Sequence, residues 1–110
     1  MDCLFCKIAA GEIPSNKVYE DDQVLAFHDI APTAPVHVLI IPKAHLAGAR
    51  EVSAANSAVV AHIFEVIPTI AQQLGVTDYR IVTNNGAEAG QTVHHLHFHL
   101  LGGRTLGAMG

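Results

Sequence analysis

The sequence has no tryptophan, only two cysteines, few charges, and no apolar run long enough to cross a bilayer. Each shortage removes a class of explanation. The longest uninterrupted apolar stretch, Val38 to Pro42, falls far short of the roughly 20 residues of a spanning helix, so no membrane partner is expected. Met1-Asp2-Cys3-Leu4 lacks the basic segment and apolar core of a secretory signal. Cys3 and Cys6 stand too close together to close a useful loop, and suit a metal site or a redox pair better than a structural disulfide. These features predict a cytoplasmic protein in a reducing compartment. Lys and Arg number 6 against 10 Asp and Glu, for a net charge of −4. A nucleic-acid polymer is therefore not expected as a partner, because backbone binding needs a basic stripe. A single nucleotide stays open, since one phosphate needs only a local cluster of donors.

What remains is enough for one folded unit. Hydrophobic residues make up 50% of the 110 residues, which argues against disorder. A chain of this length buries roughly 65% of its unfolded surface and needs no disulfide staples. No repeat or linker divides it, so residues 1–110 are read as a single domain.

Cys3 to Ala10 reads as a short helical turn ended by Gly11 and Pro14. Lys17–Glu20 and Val24–Asp29 read as strands around the acidic turn Glu20-Asp21-Asp22. Ile30 to Pro35 is broken twice by proline and reads as a loop. Val36–Ile41 is a β-branched, apolar strand stopped by Pro42. Ser53 is placed as the N-cap of a long helix reaching Leu74, with Gly75 as its stop. Val59, Ile63, Val66, Ile70 and Leu74 form its apolar stripe. Pro68 removes the backbone bond toward Phe64 and predicts a kink. Tyr79–Thr83 and His95–Leu101 complete the strands, with a loop from Asn84 through Gly90 between them. The expected fold class is α+β: a mostly antiparallel five-stranded sheet, one long helix and a short N-terminal helix.

Histidine is the residue in excess: there are eight, and His94, His95, His97 and His99 crowd into six positions. They interleave with Leu96, Phe98 and Leu100, unlike a purification tag. On a strand His95, His97 and His99 share one face while the apolar residues share the other. Same-face neighbours lie about 6–7 Å apart, close enough for flanking imidazoles to reach a group bonded to the central one. Imidazole offers both a nucleophilic and a proton-donating form near neutrality. A histidine nucleophile divides one hard substitution at phosphorus into two easier ones, with a neighbouring histidine as general acid. Three histidines on one strand face are also how a strand ligates zinc, and the pattern by itself leaves both chemistries open.

The stretch His95-Leu96-His97-Phe98-His99-Leu100-Leu101 matches at every position the H-φ-H-φ-H-φ-φ signature of the histidine triad (HIT) family. Gly90-Gln91-Thr92-Val93 resembles the loop that precedes it there. Phe27-His28-Asp29-Ile30, Pro35-Val36-His37, Pro42-Lys43-Ala44-His45 and Leu101-Gly102-Gly103-Arg104 also match in order and spacing. The resemblance spans nearly the whole chain and points to the nucleotide-binding, nucleoside phosphoramidase branch. It implies a HIT-like fold and homodimers whose sheets join edge to edge. It also implies hydrolysis of purine nucleoside phosphoramidates and aminoacyl adenylates to the nucleoside monophosphate.

The resemblance distributes roles. His97 would attack the α-phosphorus, His99 would contact the phosphate and help protonate the leaving group, and His95 and His37 would complete the catalytic histidines. Gln91, Thr92 and the backbone near Val93 would bind the phosphate, with Asn84 on the same side. Asp29 would accept the ribose hydroxyls, and Leu4, Phe5, Ile8, Phe27 and Ile30 would sandwich the base. Read without the resemblance, the apolar five are ordinary core residues and Asp29 is a turn residue. Many relatives use a Cys-x-x-Cys pair with two histidines for structural zinc. Cys3, Cys6 and His45 fit that arrangement, with His95 preferred over His94 as fourth ligand; reduced core cysteines are the plain alternative. No organic cofactor is implied. Thr92 stands where serine is common, and residues 106–110 lack an aromatic residue that some relatives carry. Two other functions stay in view: a dinucleoside polyphosphate hydrolase, and a zinc-stabilised nucleotide-binding regulatory protein.

Overall fold

A computed structural model describes residues 3–109. The reading of Met1 and Asp2 as part of no signal segment lies outside them. The elements run α1 (Leu4–Ala9), β1 (Lys17–Glu20), β2 (Val24–His28), β3 (Val36–Pro42), α2 (Ser57–Gln73), β4 (Tyr79–Val82) and β5 (Phe98–Gly102). Single 3-10 turns lie at Ala49–Glu51 and Ala87–Ala89. The strands form one antiparallel sheet in the order β1-β2-β3-β5-β4. This is the α+β architecture expected from the pattern. No helix among the described residues is long and apolar enough to cross a membrane.

β2 and β3 are apolar without alternation because both their faces are covered. Val24, Ala26, Val38, Ile40, Leu96, Phe98 and Leu100 pack against Ile63, Val66, Ile67 and Ile70 of α2. The opposite face carries Leu25, Phe27, Leu39 and Ile41, which pack against Cys3, Phe5 and Ile8 of the α1 segment. Each fully buried aliphatic or aromatic side chain contributes about 1.5–3 kcal/mol, so both layers hold the sheet firmly.

Several boundaries differ from the sequence pattern. α2 starts at Ser57 rather than beside Ser53. Ser53 closes a turn first: its N–H donates to Asn56 Oδ1 at 2.8 Å and its Oγ accepts from Ala55 N–H at 3.2 Å. At the far end Gly75 takes a φ of +72°, the left-handed conformation that ends a helix after Leu74. β3 includes Pro42, which lies opposite Val24. β4 ends at Val82, one residue short of Thr83. Most consequentially, β5 begins at Phe98, so His95 and His97 precede the strand. The backbone there is drawn to the loop after β3, where Leu96 N–H donates to Leu46 O at 2.6 Å.

One polar tie fastens α2 to the β1–β2 turn. His62 Nε2 lies 2.6 Å from Asp21 Oδ2, which also accepts from Tyr19 Oη at 2.8 Å. Asp21 Oδ1 accepts from the Gln23 and Val24 amides at 2.8 and 2.9 Å. Burial works against the Asp21 charge, but hydrogen bonds from His62, the two amides and Tyr19 outweigh it and hold the carboxyl well below its ordinary range. The hydrogen bond to Asp21 raises the His62 pKa against a smaller opposing burial effect, with Glu65 adding to the rise. The raised histidine contributes stability that is complete below its unfolded value and is lost as pH rises through its folded value. The depressed aspartate contributes stability present above its unfolded value and lost as pH falls through its folded value. Both are present together between about pH 4 and 6.5. His62→Gln therefore lowers Tm at about pH 6 and does so less at about pH 9, as thermal melts of both proteins across that range would show.

Candidate functional site

The sheet face turned from α2 carries the histidines. In the β3–β5 register His37 lies opposite Leu101 and Leu39 opposite His99. His37 and His99 are thus diagonal neighbours on one face. His37 Nε2 is 2.9 Å from His99 Nδ1. The proton order along this pair follows from its outer partner. Thr33 N–H donates to His37 Nδ1 at 3.1 Å, so that nitrogen carries a lone pair. Neutral His37 then holds its hydrogen on Nε2 and donates it to His99 Nδ1. Neutral His99 consequently presents Nε2–H at its far end. Asp29 Oδ2 lies 3.4 Å from His37 Nε2, while Asp29 Oδ1 accepts from Ala31 N–H at 2.8 Å.

Burial decides the charge of this pair. It pushes His37 below the ordinary imidazole value, against the opposing pull of Asp29. His99 is pushed down to about 4 by burial first and by the neighbouring His97 and His37 second. Both rings are neutral near pH 7. Asp29, His37 and His99 bring their ligand atoms within 4.8 Å of one another, as a metal site would. The Thr33 bond argues against a cation there, because it leaves the His37 lone pair on Nδ1 and a hydrogen on Nε2.

His97 is fixed by a different partner. Its Nδ1 lies 2.7 Å from the carbonyl oxygen of His95. A carbonyl only accepts, so Nδ1 carries the hydrogen and Nε2 keeps a lone pair. The ring packs edge-on against Phe5 and against His99, with centroids 5.1 Å away in each case. Phe5 also touches the ring of His95 at 6.0 Å and that of Phe27 at 5.6 Å. α1 thereby acts as a wedge between two of the triad rings.

The third triad ring is elsewhere engaged. His95 is completely buried, and its Nε2 donates to Pro42 O at 2.8 Å. Its Nδ1 lies 3.4 Å from Cys3 Sγ, 3.5 Å from Cys6 Sγ and 3.2 Å from His45 Nδ1. Cys6 Sγ lies 3.4 Å from His45 Nδ1. Cys3, Cys6, His45 and His95 could together hold a metal ion. The expectation that all three triad rings share one phosphoryl group is therefore corrected. With both nitrogens occupied and no exposure, the His95 ring has nothing to offer a substrate; its carbonyl acts instead, on His97. His94 is exposed and stands apart from the thiols.

The other anticipated residues divide. Phe5, Ile8 and Phe27 are buried in the α1-side core. Leu4 is half exposed and the Ile30 side chain is fully exposed, 101% of its reference area, next to Asp29. Val93 packs partly buried on the same core, Thr92 is exposed and Asn84 is half-buried. Gln91 turns inward: its Nε2 donates to Ala47 O at 2.6 Å and Val93 O at 3.1 Å, and its Oε1 accepts from Gly86 N–H at 2.8 Å. Its amide hydrogens are thus committed to bracing the loop and are not turned to a ligand. Gly48 permits that brace, because a Cβ there would stand 2.8 Å from Asn85 Oδ1 and 3.3 Å from Gln91 Oε1. The sequence reading missed Thr33, the Pro42 carbonyl, and Arg104, whose Nη2 donates to Thr33 O at 3.0 Å. These act through or upon the backbone, where residue type carries little signal. A separate surface hollow of about 560 Å³, lined by Val76, Asp78, Arg80 and Arg104 among others, includes none of the histidines.

The HIT domain matches residues 10–106. The chain is 52% identical over 106 residues to an uncharacterized HIT-like protein of Synechococcus elongatus, covering 96% of this chain and 93% of the relative. It is 44% identical over 110 residues to the purine nucleoside phosphoramidase of Escherichia coli K12, covering 98% and 92%. A solved HIT family hydrolase from Clostridium thermocellum superimposes with a TM-score of 0.95 at 48% identity, covering 98% of this chain and 96% of that one.

Proposed function

This chain belongs to the HIT family, and from that premise we propose that it hydrolyses the P–N bond of purine nucleoside 5′-phosphoramidates, and the P–O bond to the acyl group of aminoacyl adenylates, to the nucleoside monophosphate. The observation that carries the reading is the 2.7 Å contact between His97 Nδ1 and the His95 carbonyl. It leaves the Nε2 lone pair as the ring's one free nucleophile. The 44% identity to a phosphoramidase supports the same substrate class.

The lone pair attacks phosphorus to form a nucleotidyl-histidine, and the P–N bond breaks as the amine leaves. The His97 ring becomes cationic in that intermediate, and the carbonyl on Nδ1–H stabilises the charge. Burial keeps His99 neutral, with its one hydrogen on Nε2. His99 Nε2–H donates a hydrogen bond to the phosphoramidate group, the departing amine takes its proton from solvent, and His37 holds His99 Nδ1 in place throughout. Water repeats the displacement at phosphorus and releases the monophosphate, with His97 restored. Asp29 and exposed Ile30 stand at the mouth of the histidine cluster as ribose and base contacts. Thr92 and the backbone near Val93 are the phosphate contacts. The protein works as a homodimer in the reducing cytoplasm on this reading, through one of the outer strands β1 or β4.

The Cys3, Cys6, His45 and His95 cluster is assigned to structural zinc. A tetrahedral site with Zn–S bonds of about 2.3 Å and Zn–N bonds of about 2.0 Å has S···N edges of roughly 3.5 Å and an N···N edge of roughly 3.3 Å. The corresponding separations here are 3.4, 3.4 and 3.5 Å for sulfur to nitrogen, and 3.2 Å between the imidazoles. The chemistry of the donors also fits. Burial and the adjacent Cys3 thiol push the Cys6 thiol up, so a thiolate pair needs a cation to compensate it. The Pro42 carbonyl orients His95 from behind. Bound zinc supplies cross-linking of α1 to the sheet and takes no part in the reaction.

Wild-type protein is expected to turn over adenosine 5′-phosphoramidate faster than a diadenosine polyphosphate, and His97→Ala to lose at least about 10³-fold in kcat/KM. Unchanged turnover in that variant would remove the nucleophile, and a preference for the polyphosphate would move the protein to the other hydrolase class. Protein purified with reduced thiols should contain about one zinc per chain, and Cys6→Ser or His45→Ala should lose it together with a lower Tm. Metal-free protein with an unaltered melt in chelator would make both thiols plain core residues.

A further inference from the structure

The nucleophile sits just beyond the ordered edge of the sheet. β4 and β5 pair only as far as Val82 opposite His99, and β3 pairs with β5 only as far as Phe98. Continuing the β4–β5 register would set Asn84 opposite His97, but the paired residues stop before that rung. Thr83 occupies the gap. Its hydroxyl donates to the carbonyl oxygen of His97 at 2.7 Å.

We propose that Thr83 is a positioning residue for His97, its side-chain hydroxyl standing in for the missing rung and holding the nucleophile's backbone in the line of the strand. This rests on the reading of His97 as nucleophile. His97 is then restrained from both ends: the ring hydrogen on Nδ1 goes back to the His95 carbonyl, and its own carbonyl is tied to Thr83. Phe5 and His99 close on the ring from two sides, but packing alone leaves it free to slide within its plane. The two hydrogen bonds act on the peptide groups on either side of the 96–97 peptide and fix where Nε2 points. Removing the hydroxyl leaves a half-buried carbonyl without its partner and lets the peptide after His97 rotate. A misaimed lone pair lowers the rate of attack without altering how the nucleotide is held, because Thr83 lies against the back of the nucleophile and not among the substrate contacts. Threonine is informative here, since valine keeps its shape and serine keeps its hydroxyl.

The test is steady-state kinetics on adenosine 5′-phosphoramidate for wild type, Thr83→Val and Thr83→Ser, with histidine ¹⁵N NMR of each protein free of substrate. Thr83→Val should lower kcat roughly fivefold to twentyfold with KM within about twofold of wild type, and Thr83→Ser should recover most of the loss. In the spectra, His97 should give one Nδ1-protonated tautomer in wild type and Thr83→Ser, and a mixed or exchange-broadened signal in Thr83→Val. Unchanged kcat in Thr83→Val, equal loss in Thr83→Ser, or a rise in KM in place of a fall in kcat would overturn the proposal. If wild type itself fails to turn over the phosphoramidate, the functional reading falls, and the spectra decide Thr83 by themselves: a signal altered in valine and restored in serine supports it, and identical signals overturn it. Should Thr83→Val not fold, Thr83→Ala reads the same loss.

Discussion

One peptide group organises the site: the carbonyl of His95, which accepts the ring hydrogen of His97. Its orientation is set by the side chain of the same residue, held between the Pro42 carbonyl and the thiol cluster. The ring of His95 therefore belongs to the part of the molecule that secures α1, while its backbone holds the ring of His97. Anything that frees the ring also loosens the bond that makes His97 Nε2 a lone-pair donor. Phe5 strengthens the link, since it leaves the same helix and touches both rings.

The second pair of histidines shows burial prevailing over charge. Asp29 stands close enough to favour a cationic His37, yet burial pushes His37 down and holds His99 at about 4. The result is a neutral chain with a fixed direction, from Thr33 N–H through His37 to His99 Nε2–H. A direction of that kind gives the two reactive rings opposite faces: a lone pair on His97 and a hydrogen on His99, with centroids 5.1 Å apart. The proposed nucleophile and hydrogen-bond donor are distinguished by their hydrogen-bond partners, although the residue type is the same.

Much of this was legible in the chain itself. The apolar stripe of α2, the unbroken Val38–Ile41 run and the alternation of Leu96, Phe98 and Leu100 all face the layers that the pattern assigns to them. The start of β5 was not legible, because strand alternation is a rule for backbone already in a ladder. Here side-chain bonds to the Pro42 and His95 carbonyls, and the Leu96 amide bond to Leu46, take the backbone out of the ladder before Phe98. Gln91 was misread for a related reason: a primary amide in a glycine-rich loop can face a ligand or its own backbone, and only the position of Ala47 and Gly86 decides it. The resemblance identified the triad histidines, but His95 shows that a shared motif does not imply a shared task.

The proposed chemistry stands on the nitrogen that bonds to phosphorus. Rapid quenching of the protein with a slow phosphoramidate substrate, followed by peptide mapping and ³¹P–¹⁵N correlation of the trapped adduct, reads that atom directly. A nucleotide on Nε2 of His97 is the expected result. An adduct on His99, or on Nδ1 of His97, would contradict the role assigned to the His95 carbonyl.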